Sequence, residues 1–124
     1  MIGVYVLVLA VIGCNAVYAD EFYSNKYDNV NVNQILKSER LLQRYILCLL
    51  DKGSCTSDGR FFKEILPEAL ATNCSKCSMK QREIVKTLTL HLMNNKPDHW
   101  REFVEKYDPD NKYRTSFLNF IMSS

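Results

Sequence analysis

The sequence predicts an all-α domain of six short amphipathic helices tied by two disulfides. Three observations carry that prediction. Apolar residues recur at helical spacing in six segments. No segment alternates with the period of two that a half-buried strand requires. Four cysteines remain once an N-terminal leader is set aside, an even count in a short chain.

The leader comes first. Ile2 to Ile12 is apolar apart from Gly3 and Tyr5, shorter than the ~20 residues of a membrane span. Val17-Tyr18-Ala19 has small residues at the two positions that signal peptidase reads. Residues 1–19 are therefore expected to be a signal peptide and residues 20–124 the secreted domain. The alternative is a buried N-terminal helix. No later stretch approaches a membrane span, so a soluble product with no stable membrane insertion is expected.

Residues 20–30 are polar and read as extended. Asn31 is placed to cap a first helix presenting Val32, Ile35 and Leu36. Glu39 to Leu50 is the most apolar segment of the domain. Wound at 100° per residue, Leu41, Leu42, Tyr45, Ile46, Cys48, Leu49 and Leu50 cover more than half its circumference, which predicts a central helix. Gly53 reads as its C-terminal breaker. Ser57 or Asp58 caps a third helix with Phe62, Ile65, Leu66, Ala69 and Leu70 on one face. Pro67, inside that pattern, is expected to kink or split it. A fourth helix spans about Met79 to Asn94, with Ile84, Val85, Leu88 and Leu92 inward. Pro97-Asp98 starts a fifth with the stripe Trp100, Phe103, Val104 and Tyr107, and Asp108-Pro109-Asp110 ends it. A last helix carries Tyr113, Phe117, Phe120 and Ile121.

Charge and residue chemistry narrow the function classes. The net charge is +2, and the Lys and Arg residues are scattered among Asp and Glu. That leaves no electrostatic footprint for nucleic acid. His91 and His99 form no i, i+4 ligand pair, so no metal is expected. No Gly-rich phosphate loop or nucleophile motif is present. Asp108 and Asp110 flank a turn and read as structural. The chain is not expected to be an enzyme or to hold a cofactor. Asn73-Cys74-Ser75 matches a glycosylation sequon, but its middle residue is a cysteine at a helix junction, where low occupancy is expected.

Five cysteines are present, and Cys14 leaves with the leader. Cys48, Cys55, Cys74 and Cys77 allow three pairings. Six residues separate the first two, which fits a zinc knuckle poorly. No strand surrounds Cys74-Ser75-Lys76-Cys77, so a thioredoxin-like redox site is disfavoured. The chain has seven tyrosines and six phenylalanines, of which Tyr5 and Tyr18 lie in the leader. Bulky rings on short helices with wide apolar arcs suit either a filled core or a cavity between helices. A tyrosine in such a cavity offers an apolar ring and one hydrogen-bonding tip.

Several segments together resemble a known family. The pattern Cys48-x6-Cys55-x18-Cys74-x2-Cys77 resembles the four-cysteine signature of the insect chemosensory proteins. Tyr23-Ser24-Asn25-Lys26-Tyr27-Asp28-Asn29-Val30 resembles their N-terminal motif. Arg40-Leu41-Leu42-x2-Tyr45-x2-Cys48-Leu49-Leu50-Asp51 resembles their second-helix motif. Leu66-Pro67-Glu68-Ala69-Leu70, Trp100 and Lys106-Tyr107-Asp108-Pro109 match further family segments. The similarity covers nearly all of residues 22–121. Asn33-Gln34 and Ser57 depart from the usual Asp-Glu and Pro, and the altered first helix bears on ligand preference.

The resemblance implies six helices around a hydrophobic channel and the local pairings Cys48–Cys55 and Cys74–Cys77. It implies small hydrophobic ligands such as fatty acids, long-chain alcohols, esters and pheromone- or odorant-like molecules. It also implies a monomeric carrier in extracellular fluid such as sensillum lymph or haemolymph. Tyr27, Tyr45, Tyr113 and Phe117 stand where the family places aromatic channel residues. Helical spacing extends that set. Tyr45 and Leu49, Phe62 and Leu66, and Tyr113 and Phe117 each lie one turn apart on one face. With Ile46, Val85 and Leu88, these residues form the expected channel lining. Two other classes compete: an interaction protein with a solid core, and a secreted hydrolase, which needs a polar cluster in a cleft that these residues do not assemble. A continuous apolar cavity of several hundred Å3, on the order of ordinary ligand pockets, supports carriage, and a filled core supports the interaction protein.

Overall fold

A computed structural model describes residues 22–123 of the chain. The expected leader, 1–19, lies outside the described residues. Six helices follow one another: α1 Val32–Lys37, α2 Glu39–Leu49, α3 Ser57–Thr72, α4 Met79–Asn95, α5 Pro97–Tyr107 and α6 Arg114–Met122. No strand occurs among the described residues.

Short polar side chains start most of these helices by accepting otherwise unpartnered amides. Asn31 Oδ1 accepts from Gln34 N at 3.1 Å, as its sequence position predicts. Ser38 ends α1 and caps α2, accepting from Leu41 N at 3.2 Å. Thr56 caps α3, one residue earlier than the sequence suggested, and its hydroxyl accepts from Gly59 N at 3.4 Å. Ser78 and Gln81 form a reciprocal capping box at α4.

The structure corrects two sequence expectations, one at a helix end and one inside a helix. α2 stops in a Schellman arrangement, with Lys52 N bonded to Leu47 O at 2.8 Å and Asp51 N to Cys48 O at 3.1 Å. Its left-handed residue is Asp51, at φ 61°, and not Gly53. The Asp51 carboxylate is held there by Lys63 and Lys106. Gly53 instead supplies room, because a Cβ on it would lie 3.1 Å from Leu47 Cβ. Pro67 does not split α3, which runs unbroken through it with the proline exposed. α3 ends at Asn73 and Cys74, both left-handed at φ 54° and 61°.

The disulfides are Cys48–Cys55 and Cys74–Cys77, as the family resemblance implied. The first ties the end of α2 to the approach to α3. The second clamps the junction of α3 and α4. Two apolar clusters form the core. One joins Ile35, Leu42, Ile46, Leu49, Leu50, Leu92 and Phe103, from α1, α2, α4 and α5. The other joins Ala69, Cys74 and Cys77, with Tyr23, Val85 and Phe120 against them. Leu42 and Ile46 are fully buried, confirming α2 as the central helix. Removing either side chain to alanine costs about 2–5 kcal/mol in such a setting.

Candidate ligand cavity

The two clusters do not close completely on one another. Between them lies a cavity of about 120 Å3 walled by all six helices. Val32 and Ile35 come from α1, and Tyr45 and Leu49 from α2. α3 supplies Gly59, Phe62, Ile65, Leu66, Ala69 and Leu70, and α4 supplies Ile84, Val85, Leu88, Thr89 and Leu92. The whole α5 stripe, Trp100, Phe103, Val104 and Tyr107, contributes. Val30, Asp108, Arg114, Phe117 and Leu118 complete the wall.

Seven of the ten expected channel residues stand on this wall: Tyr45, Leu49, Phe62, Leu66, Val85, Leu88 and Phe117. Tyr27, Ile46 and Tyr113 do not. Tyr27 lies in the turn before α1, its ring 5.1 Å from that of Phe61. Ile46 belongs to the row Leu42–Ile46, which is buried in the first core cluster. Tyr113 precedes α6 as its N-cap and is half-buried, with the Lys112 ammonium 5.7 Å from its ring. The α5 stripe, Asp108 and Arg114 were missed. The stripe was visible as apolar periodicity, but nothing local said that it faced a void.

The polar groups on the wall are mostly committed. The Tyr45 hydroxyl donates to Asp58 Oδ2, and Thr56 donates to Asp58 Oδ1. Burial and the Asp58 carboxylate push the Tyr45 phenol up to about 12. Burial alone would raise Asp58. The hydroxyls of Thr56 and Tyr45 and the Gly59 amide outweigh it and hold the carboxyl below its usual range. The Tyr107 hydroxyl donates to the Leu49 carbonyl, and burial, with Asp51 nearby, raises that phenol to about 12. Asp108 is buried and accepts from Lys112 N at 2.7 Å and Tyr113 N at 3.2 Å. It fixes the turn into α6, as its position beside Pro109 suggested.

His91 and His99 lie off the cavity wall, and among the described residues no group of His, Cys, Asp or Glu is placed to hold a metal. No described helix is long and apolar enough to cross a membrane. Asn73, the sequon residue, donates through Nδ2 to Ser116 Oγ at 2.7 Å, so its amide nitrogen is engaged within the fold.

The arrangement defines a class: a small, disulfide-stapled helical protein whose helices enclose an apolar chamber. The chain belongs to the insect pheromone-binding family A10/OS-D, whose pattern matches residues 23–115. It is 48% identical over 119 residues to Allergen Tha p 1 of Thaumetopoea pityocampa, covering 94% of each chain. It is 47% identical over 108 residues to Ejaculatory bulb-specific protein 3 of Drosophila melanogaster, covering 87% of this chain and 86% of that one. A solved chemosensory protein in complex with bromo-dodecanol is similar in structure, with a TM-score of 0.72 and 36% identity. That match covers 78% of this chain and 97% of the other.

Proposed function

We propose that this protein is a secreted carrier of small apolar ligands, held in the cavity between the helices. The ligand class is fatty acids, long-chain alcohols, esters and pheromone- or odorant-like molecules. The observation that carries the reading is the chamber itself: an almost wholly apolar wall drawn from every described helix. The bromo-dodecanol complex of a relative supports the same ligand chemistry.

The transfer energy of an aliphatic chain favours it, and the size of the chamber sets a condition on it. A twelve-carbon chain leaving water gains about 0.8 kcal/mol per methylene, roughly 10 kcal/mol gross. Lost translational and chain freedom offset at least ~4 kcal/mol. The remainder corresponds to a dissociation constant of roughly 10–100 micromolar. The chamber, at about 120 Å3, is smaller than the several hundred Å3 expected of a ready-made channel. A cavity of about 150 Å3 lined by Leu, Ile and Phe takes one benzene. A twelve-carbon ligand therefore needs the walls to separate, and Phe62, Leu66, Val85, Leu88 and Val104 are among the wall side chains that are only half-buried. Apolar walls discriminate chain length weakly, so selectivity among lengths is loose.

Secretion belongs to the same proposal, with the leader 1–19 removed after Ala19. Mass spectrometry of the protein taken intact from extracellular fluid tests both parts. The expected species begins at Asp20 and releases apolar molecules on extraction. A species beginning at Met1 contradicts secretion, and a ligand-free protein in every fluid contradicts carriage.

A further inference from the structure

Both tyrosine hydroxyls on the cavity wall donate within the protein, Tyr45 to Asp58 and Tyr107 to the Leu49 carbonyl. A ligand head group seeking a donor must find it elsewhere. One charged wall residue has a donor to spare. Arg114 opens α6 and lines the cavity. Its Nε is buried and has no hydrogen-bond partner. The ion pairs among the described residues all involve other side chains. Asp108, the other charged residue on the wall, directs both oxygens to the amides of Lys112 and Tyr113.

A buried guanidinium donor without an acceptor is costly, and native structures rarely keep one without use. Here it sits on a wall whose surface is almost wholly apolar, so a bound amphiphile would bring an oxygen to it. We propose that Arg114 is the head-group anchor of the cavity and selects apolar chains ending in a carboxylate. A carboxylate accepts two parallel bonds from a guanidinium fork, whereas an ester carbonyl accepts without charge. The aliphatic chain then lies against the apolar wall, which includes Phe117 one turn along α6. This inference rests on the carrier reading and adds to it which end group the cavity prefers.

The test compares dodecanoate with methyl dodecanoate, both displacing a fluorescent apolar probe, at a pH where the acid is ionised. The wild type is expected to bind the acid about tenfold more tightly than the ester, the scale of one charge-assisted hydrogen bond. In Arg114→Gln the ratio of the two affinities should fall to near one. In Arg114→Lys, which keeps the charge but loses the fork, it should lie between. Circular dichroism of each variant checks the fold, and the wild-type ratio stands whether or not the variants fold. A wild type that binds the ester without preferring the acid overturns the proposal alone. So does an acid preference that survives Arg114→Gln. A wild type that takes up neither ligand nor the probe overturns the carrier reading, and this proposal with it.

Discussion

Tyr107, at the end of α5, donates its hydroxyl to the carbonyl of Leu49, at the end of α2, and both residues line the cavity. A helix leaves its last carbonyls without intrahelical partners. This bond satisfies one of them and ties the central helix to α5. Tyr107→Phe keeps the ring and leaves that carbonyl without its donor. We expect a loss of about 1–2 kcal/mol in stability, read as a lower midpoint in denaturant with an unchanged slope. An unchanged midpoint would mean that water replaces the hydroxyl at no cost.

The same phenols set an alkaline limit. Tyr45 and Tyr107 have folded pKa values of about 12, against 10.0 for a free phenol. Both are raised on folding, so their contribution is complete below about pH 10 and is lost as the pH climbs toward 12. Unfolding in denaturant across that range should show stability falling. Tyr45→Phe and Tyr107→Phe should each flatten the fall. A stability curve level from pH 10 to 12 would contradict the hydrogen-bonded placement of both rings. At the acid end the sign reverses. Asp58 is held below its ordinary 3.8, so its contribution is present above that value and disappears as the pH falls through the lowered one.

The disulfides close short loops, with sequence separations of 7 and 3. On the chain-entropy model they contribute about 2.5 and about 2 kcal/mol. Each clamps a junction whose neighbouring helices already have their own caps. Reduction should therefore lower Tm while much of the far-ultraviolet helix signal survives at low temperature. Complete loss of that signal on reduction would show that the bridges hold the helices themselves and not only their junctions.

The helices were legible because each carries a periodic apolar face, and four of the six have a short polar residue at their start. Asn31 and the α5 stripe were read directly. Two ends were not. Asp51 takes the left-handed position expected of Gly53 because Lys63 and Lys106 hold its carboxylate, a tertiary effect invisible in local sequence. The site was legible in part for a related reason. α2 is apolar most of the way round, so periodicity could not say whether the row Tyr45–Leu49 or the row Leu42–Ile46 faces the void. Ile46 accordingly lies in the solid core. Tyr113 was read as part of the last helix, whereas the helix begins at Arg114. Arg114 itself reads as an ordinary solvent-facing charge, and only the fold brings it to an apolar wall.

The central claim is that the chamber carries aliphatic ligands. Position 85 is the place to test it. Val85 lies in the middle of α4 on the cavity wall, and tryptophan there should occupy much of the available space. The measurement is displacement of a fluorescent apolar probe by straight-chain alcohols of increasing length, with wild type and Val85→Trp compared at equal helix content. The account predicts micromolar displacement by twelve-carbon and longer alcohols in the wild type, and at least about tenfold weaker binding in Val85→Trp, a loss of ~1.4 kcal/mol or more. Equal binding by a folded Val85→Trp protein, or no binding by the wild type, would contradict it.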